Sequence, residues 1–400
     1  MLTFFNFSSL PIRNHSFSSC LLLQFFCQFS KHYGKLGSKG VTKYEKFYVL
    51  KDLFAIDKAN DELFRLVGVA ICMAIPLLIG YFSNNLLIGT FGSMGIYTFI
   101  YYQPLPLPQL LRRLNIVGFF IVLGNSLGML SHHVPWLIPI TIAIVAFLAR
   151  LLFRLYGIEK PGALLVIMST AMGTSNNFPL HKIPIMASFV LLGVVTGIIM
   201  GIVLHFIDKR PYVFQKRMSL QERLYIDPAS LLDALHYAAI LFLAAYLSQS
   251  LHLVNAYWMT FTCAAILQGE NLHSVMQRNV QRILGTSLGL LLSAILLMIP
   301  FTPLQTIGII SILYAAFEGF INRNYAIASF FITPMSLLLS NLARQQVISN
   351  LLNYRLVGIV LGSLLGFAGA YVFTTALRFY NRAYSIDETF ENQQEERGVL

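Results

Sequence analysis

Apolar residues run along this chain in blocks, not in alternation. Each block is roughly 17–25 residues long, the length a helix needs to cross a hydrocarbon layer of about 30 Å. Barrel strands would alternate in polarity, and these runs do not. The pattern predicts twelve membrane spans, at about 64–83, 86–102, 114–131, 134–155, 161–178, 184–206, 232–250, 254–270, 280–299, 303–321, 325–342 and 354–377. Pro76, Pro139, Pro184 and Pro334 fall within spans or at their starts, where neighbouring helices can re-satisfy the freed carbonyls. The expected fold class is all-α: a polytopic membrane protein of about twelve transmembrane helices in two parallel six-helix repeats.

The repeat rests on a stretch from Asn255 to Leu292, which reads as one helix, a short basic turn and the start of a second. Tyr257 and Trp258 stand at its front, Arg278 and Arg282 in the turn, and Gly285-Thr286-Ser287-Leu288-Gly289 in the helix that follows. A fainter copy runs from Ile88 to Leu130, with Arg112 and Arg113 in the turn, then Gly124-Asn125-Ser126-Leu127-Gly128. Gly193 and Gly197 in the sixth span are echoed by Gly362 and Gly366 in the twelfth. Small residues four apart let helix backbones approach, so plain helix packing is the first reading of these glycines. The domains that follow are 1–63, an N-terminal cytoplasmic segment; 64–207 and 230–378, the repeats; 208–229, a basic cytoplasmic linker; and 379–400, an acidic tail expected to be disordered. Residues 1–60 have no clear period. They are read either as a poor signal peptide or as lying upstream of a true start near Val41, while 43–62 is basic and amphipathic and suits a membrane face.

Composition agrees. The chain is 56% hydrophobic and 11% charged, with a mean hydropathy of +0.67, against about 25% charged in soluble domains. The net charge of +11 is explained by retention of Lys and Arg in cytoplasmic loops, not by nucleic acid. With both termini inside, 25 of the 28 basic residues fall in inside segments; Lys182, Arg344 and Arg355 remain in outside turns. That asymmetry supports a multi-pass protein of the cell membrane with both ends cytoplasmic. Cys20, Cys27, Cys72 and Cys263 show neither disulfide nor metal spacing.

No enzyme motif is present: no phosphate-binding GxxxxGK loop, HExxH or GxSxG, and no metal-spaced His/Cys cluster, so no cofactor or metal is expected. His132-His133 reads as two solvated turn residues. Polar residues inside apolar spans carry more information, because they are costly there. Glu318 is the sharpest, a carboxyl able to exchange a proton, unless it pairs at the interface with Arg323. Glu270 is a second proton-coupling candidate, with a solvated interface position as its simpler reading. Asp233 and His236 are read as interfacial. Thr260, Thr262 and Thr286 could hydrogen-bond a substrate or each other. Tyr257 and Trp258 either form an outer aromatic belt or stack on a substrate. Arg112, Arg113, Arg278, Arg282 and Arg323 gather on one side, where they would concentrate an anion.

The Tyr257-Trp258 pair, the Thr260/Thr262 face and the run RNVQRILGTSLG (Arg278 to Gly289) together resemble the fusaric acid resistance protein-like family, grouped with bacterial aromatic acid exporters. Arg282, Gly285, Thr286 and Gly289 match its Arg-x-x-Gly-Thr-x-x-Gly helix start, and Arg113, Gly124 and Gly128 carry a weaker version. Two features depart from the family pattern: this chain has only a short linker where many members carry large cytoplasmic domains, and the first repeat lacks the aromatic pair. The resemblance implies export of small organic or aromatic carboxylate anions, and with no ATP-hydrolysing motif in the chain a secondary, proton-driven mechanism is expected. The partners are then the lipid bilayer, a small organic anion and, for some assemblies, a second copy of the chain as a homo-oligomer. A passive anion channel and a non-transporting structural subunit are the alternatives.

Overall fold

The computed structural model describes residues 63–158, 161–212, 219–227, 229–253, 255–269, 272–321, 323–344 and 348–396. The N-terminal expectations, the choice of start near Val41 included, lie outside these residues, as does Glu270.

Among the described residues every regular element is a helix. In chain order they are α1 (Leu63–Phe82), α2 (Leu86–Gly95, continued as a 3₁₀ turn over Ile96–Tyr101), α3 (Leu107–Ser131), α4 (Leu137–Leu155), α5 (Leu164–Thr174), α6 (Ile183–Ile207), α7 (Leu220–Ile226), α8 (Ala229–Ser250), α9 (Tyr257–Ile266), α10 (Leu272–Met298), α11 (Pro303–Ile321), α12 (Tyr325–Arg344) and α13 (Ile348–Glu396). Local chemistry sets the starts. The Asn85 side chain accepts from the Leu87 N–H, Pro108 lies in the first turn of α3 and Pro184 in that of α6. Thr302 and Gln305 exchange side-chain and backbone hydrogen bonds ahead of α11, and Ser219 and Glu222 do the same for α7. Asn84 and Asn255 take positive φ in the turns before α2 and α9, a conformation that asparagine tolerates.

Nine helices among the described residues are long and apolar enough to cross a membrane. The three expected spans that fall short are α2, α5 and α9. Their apolar runs are long enough in the sequence, but the helices stop early and the runs finish as turns or irregular backbone. They can stop early because protein, not lipid, surrounds them: all ten residues of α9 and nearly all of α5 are buried. A helix apolar on every side belongs in a core, and backbone that leaves the helix at membrane depth is tolerated where protein encloses it. The tail differs from expectation as well. α13 is one helix to Glu396, because nothing between Leu377 and Glu396 breaks it: there is no proline or glycine, and Glu, Gln, Arg and Ala favour helix.

The packing partners repeat along the chain. α3 lies on α5 and α10 on α12; α2 lies on α6 and α9 on α13; α1 packs on α11 and α4 on α8. Glycines make these approaches possible. A Cβ on Gly128 would fall 2.3 Å from the Thr170 carbonyl oxygen of α5, and one on Gly285 2.1 Å from that of Ala326 in α12. Likewise Gly193 meets the Gly92 carbonyl oxygen and Gly362 that of Met259, at 1.8 and 2.5 Å. The motif glycines are close-packing residues, as their spacing implied.

Candidate functional site

A cavity of about 610 Å³ opens at one end of the bundle. Its wall takes the first two turns of α1, α3, α5, α8, α10 and α12, the last two turns of α4 and α11, and the backbone that follows α2 and α9. Five arginines line it: Arg65, Arg113, Arg150, Arg154 and Arg278; so do three carboxylates, Asp227, Asp233 and Glu318.

The carboxylates are engaged. Arg65 Nη2 donates to Glu318 Oε1 at 2.5 Å, joining α1 to α11. Arg150 Nε and Nη2 donate to the two oxygens of Asp233 at 2.8 and 3.3 Å, and Arg154 donates to Asp227 at 2.7 Å and lies 3.3 Å from Asp233. These join α4 to α8 and to the segment before it. Arg150 also donates to Gln268 Oε1 at 3.1 Å and lies over the Tyr237 ring. Arg113 and Arg278 have no carboxylate partner among the described residues. Arg113 Nη1 donates to Gln103 Oε1 at 2.8 Å and is held toward the Gly157 carbonyl, while its Nε and Nη2 have no acceptor there. The Arg278 guanidinium sits over the Tyr325 ring at 5.3 Å. Three guanidinia are matched by three carboxylates and two are in excess, so the cavity favours an anion.

Two sequence-predicted residues, Arg113 and Arg278, are therefore brought together, and Glu318 joins them. Its observed partner is Arg65, 253 residues away in the chain, instead of the nearby Arg323. The α1–α11 packing sets this, and sequence distance cannot show it. Arg112 stays apart, over the Tyr156 ring, and Arg323 does not line the cavity. Arg282 lies one turn deeper than Arg278, is 2% exposed, and donates to the Tyr325 hydroxyl at 2.9 Å. Asp233 is one of the cavity's carboxylates and not a free interfacial group; His236 hydrogen-bonds the Gly369 carbonyl at 3.1 Å and stacks on Phe373.

Tyr257 and Trp258 are buried and so form no lipid-facing belt; α9 is enclosed on every side, which places both rings inside protein. Tyr257 and Thr260 instead line a second cavity, of about 720 Å³, at the opposite end of the bundle with His132, Trp136, Thr174 and Gln249. Thr262 and Thr286 are buried between helices, and neither hydroxyl has a hydrogen-bond partner. Of the histidine pair, His133 is exposed as expected and His132 is half-buried. His132 donates through Nδ1 to the Thr174 carbonyl at 2.7 Å, and His133 through Nε2 to the Phe178 carbonyl at 2.9 Å, closing the end of α5.

Arg355 was expected in an outside turn. It is 0% exposed, inside α13, with its guanidinium carbon 3.4 Å from the centre of the Trp258 ring. Hydropathy alone set the start of that span at the residue before it, and the helix begins earlier, at Ile348. Arg65, Arg150 and Arg154 were missed as site residues for another reason: their roles depend on which helices pair. Among the described residues no group of three or more His, Cys, Asp or Glu could hold a metal ion.

The chain is 27% identical over 140 residues to the uncharacterized membrane protein YvaC of Bacillus subtilis (strain 168), an alignment that covers 35% of this chain and 22% of the relative. No solved structure matches. Residues 243–369, which hold α9, α10, α11, α12 and most of the membrane part of α13, match the model of the Fusaric acid resistance protein-like family, the resemblance read from Tyr257-Trp258 and the Arg282–Gly289 run.

Proposed function

We propose that this protein is a secondary transporter that exports small organic anions, aromatic carboxylates foremost, across a cell membrane. The observation that carries the reading is the arginine-lined cavity, where Arg113 and Arg278 add charge that no carboxylate balances. One comes from the helices before α7 and one from those after it. We read these as two parallel six-helix repeats, twelve traverses in all, with α2, α5 and α9 as the short buried ones. The recurring pairs α3–α5 and α10–α12, and α2–α6 and α9–α13, support this, as does the placing of helix starts and ends around the cavity. The positive-inside bias makes the arginine end cytoplasmic, with both termini on that side.

Between the two cavities, by position along their helices, lie the buried rings of Tyr97 and Tyr314, 6.1 Å apart. A closed layer with a cavity on each side suits alternating access better than an open channel. Glu318 is the candidate for coupling. A proton on Glu318 cancels its charge and releases Arg65 toward the cavity, so protonation and anion binding act on one pair.

The test is flux of benzoate and acetate in liposomes holding purified protein, with and without an imposed pH gradient. Gradient-driven benzoate movement that falls in R113Q and R278Q is expected. Equal flux without a gradient would replace this reading with a passive channel; no flux at all would point to a structural subunit.

A further inference from the structure

Arg282 and Arg355 form a second feature, deeper than the cavity. α10 starts at the arginine end, and Arg282 is about 15 Å along it; α13 starts at the opposite end, and Arg355 is about 10 Å along it. The two side chains thus meet at mid-depth from opposite directions, near enough for their charges to act on each other. Both press on one face of α9. The Arg282 guanidinium lies 4.7 Å from the centre of the Phe261 ring and that of Arg355 3.4 Å from the centre of Trp258, one turn away on the same helix.

Apart from the Arg282 Nη1 bond to Tyr325, their donors are unused. Nε and both Nη atoms of Arg355, and Nε and Nη2 of Arg282, are buried without a hydrogen-bond acceptor. The hydroxyls of Thr262 and Thr286 are buried and unpartnered too, Thr286 one turn along α10 from Arg282. Among the described residues no carboxylate forms a salt bridge with either. α9, α10 and α12 contain no Asp or Glu, and α13 has none before Asp387; the groups that act electrostatically on Arg355 are Arg282, Tyr257 and Tyr325. Aromatic faces offset part of the cost of burying a cation. Two adjacent guanidinia buried with five unused N–H-bearing nitrogens still call for an anion. A guanidinium fork matches a carboxylate in two parallel hydrogen bonds, a fit a spherical halide does not have.

We infer that Arg282 and Arg355 hold the carboxylate of a small organic anion between α9, α10 and α13, as an intramembrane binding site distinct from the cavity. That the anion is a carboxylate in transit rests on the transport reading; that an anion binds there rests on the buried arginines alone.

The chain has two tryptophans, Trp136 and Trp258, so W136F leaves Trp258, stacked on Arg355, as the sole indole emitter. The full-length W136F protein in detergent is titrated with sodium acetate or sodium chloride at matched ionic strength, free of other carboxylates. A saturable change in Trp258 emission with acetate is expected, about tenfold or more weaker in added R355Q or R282Q and partly kept in R355K. Thermal unfolding of each variant verifies folding; if R355Q does not fold, R282Q and R355K carry the test. No saturable change, or the same curve in both Gln variants, overturns the site. Saturation by chloride with acetate inert overturns the carboxylate assignment. Acetate binding without flux in liposomes would leave the site standing and remove the transport reading; gradient-driven flux with emission blind to acetate would remove the site and leave transport.

Discussion

Two seams close the arginine cavity, and they use the same device differently. At the first, α1 meets α11 through Arg65 and Glu318, whose side chains are 15% and 1% exposed. At the second, α4 meets α8 and the segment before it through Arg150, Arg154, Asp227 and Asp233, all between 19% and 36% exposed. The first seam sets an acid against a base with little exposure to water; at the second, four charges share contacts at the edge of water. Removing one member of a buried pair leaves an uncompensated charge and costs about 3–5 kcal/mol. Exposed pairs contribute about 0–1 kcal/mol. The second seam is therefore a tolerant clasp. The first is the seam at which the proposed proton coupling would act.

The largest effect should come from breaking the buried seam on one side. E318A is expected to lower the thermal unfolding midpoint of the purified protein by several degrees, the equivalent of about 3 kcal/mol. E318Q, which keeps the shape, should lower it less and still abolish gradient-driven benzoate flux in liposomes. Flux unchanged in a stable E318Q protein would take the coupling role from Glu318. Replacing both partners sharpens the contrast. R65M/E318M should regain most of the stability lost by E318A while coupled flux stays absent; a double mutant as unstable as E318A would mean that the two side chains act independently. At the exposed seam, D233N is expected to cost about 1 kcal/mol, because Arg150 keeps Gln268 and the Tyr237 ring, and D227N less. Unfolding midpoints of D233N and E318A measured side by side rank the two seams, and a larger drop in D233N would reverse the comparison.

A pH-dependent effect belongs to a pair that joins no seam. Asp208, which ends α6, is buried, and burial raises its carboxyl; hydrogen bonds from Arg210 and Tyr102 outweigh this and hold it at about 2. Its folded pKa is below the unfolded one, so its contribution is whole above the ordinary aspartate value of about 3.9 and is lost as pH falls toward 2. The difference in unfolding midpoint between wild type and D208N should be constant from pH 7 to 5 and shrink between 4 and 2. A difference flat across that window would show that the pair adds nothing.

Much of this was legible in the residues because the membrane makes simple demands. Apolar runs located the helices, spaced glycines marked α3, α6, α10 and α13 as close-packing, the repeated basic turns singled out Arg113 and Arg278, and the cost of a polar group in lipid singled out Glu318. The rest depended on facts that a linear pattern does not hold. The partner of Glu318 is set by which helices pack. The shortness of α9 follows from its enclosure, and the same enclosure moves Tyr257 and Trp258 from a lipid-facing belt into the core. Arg355 was misplaced because hydropathy marks where apolar residues begin and not where a helix does.

The brevity of α9 also bears on how the protein is made. A ten-residue helix spans about 15 Å, half the hydrocarbon thickness. At that length it is held at membrane depth by its neighbours and not as a lone segment. The residues that carry the family match thus depend on one another's packing, and chains released before α13 is complete would leave that core open to lipid and become substrates for membrane proteolysis.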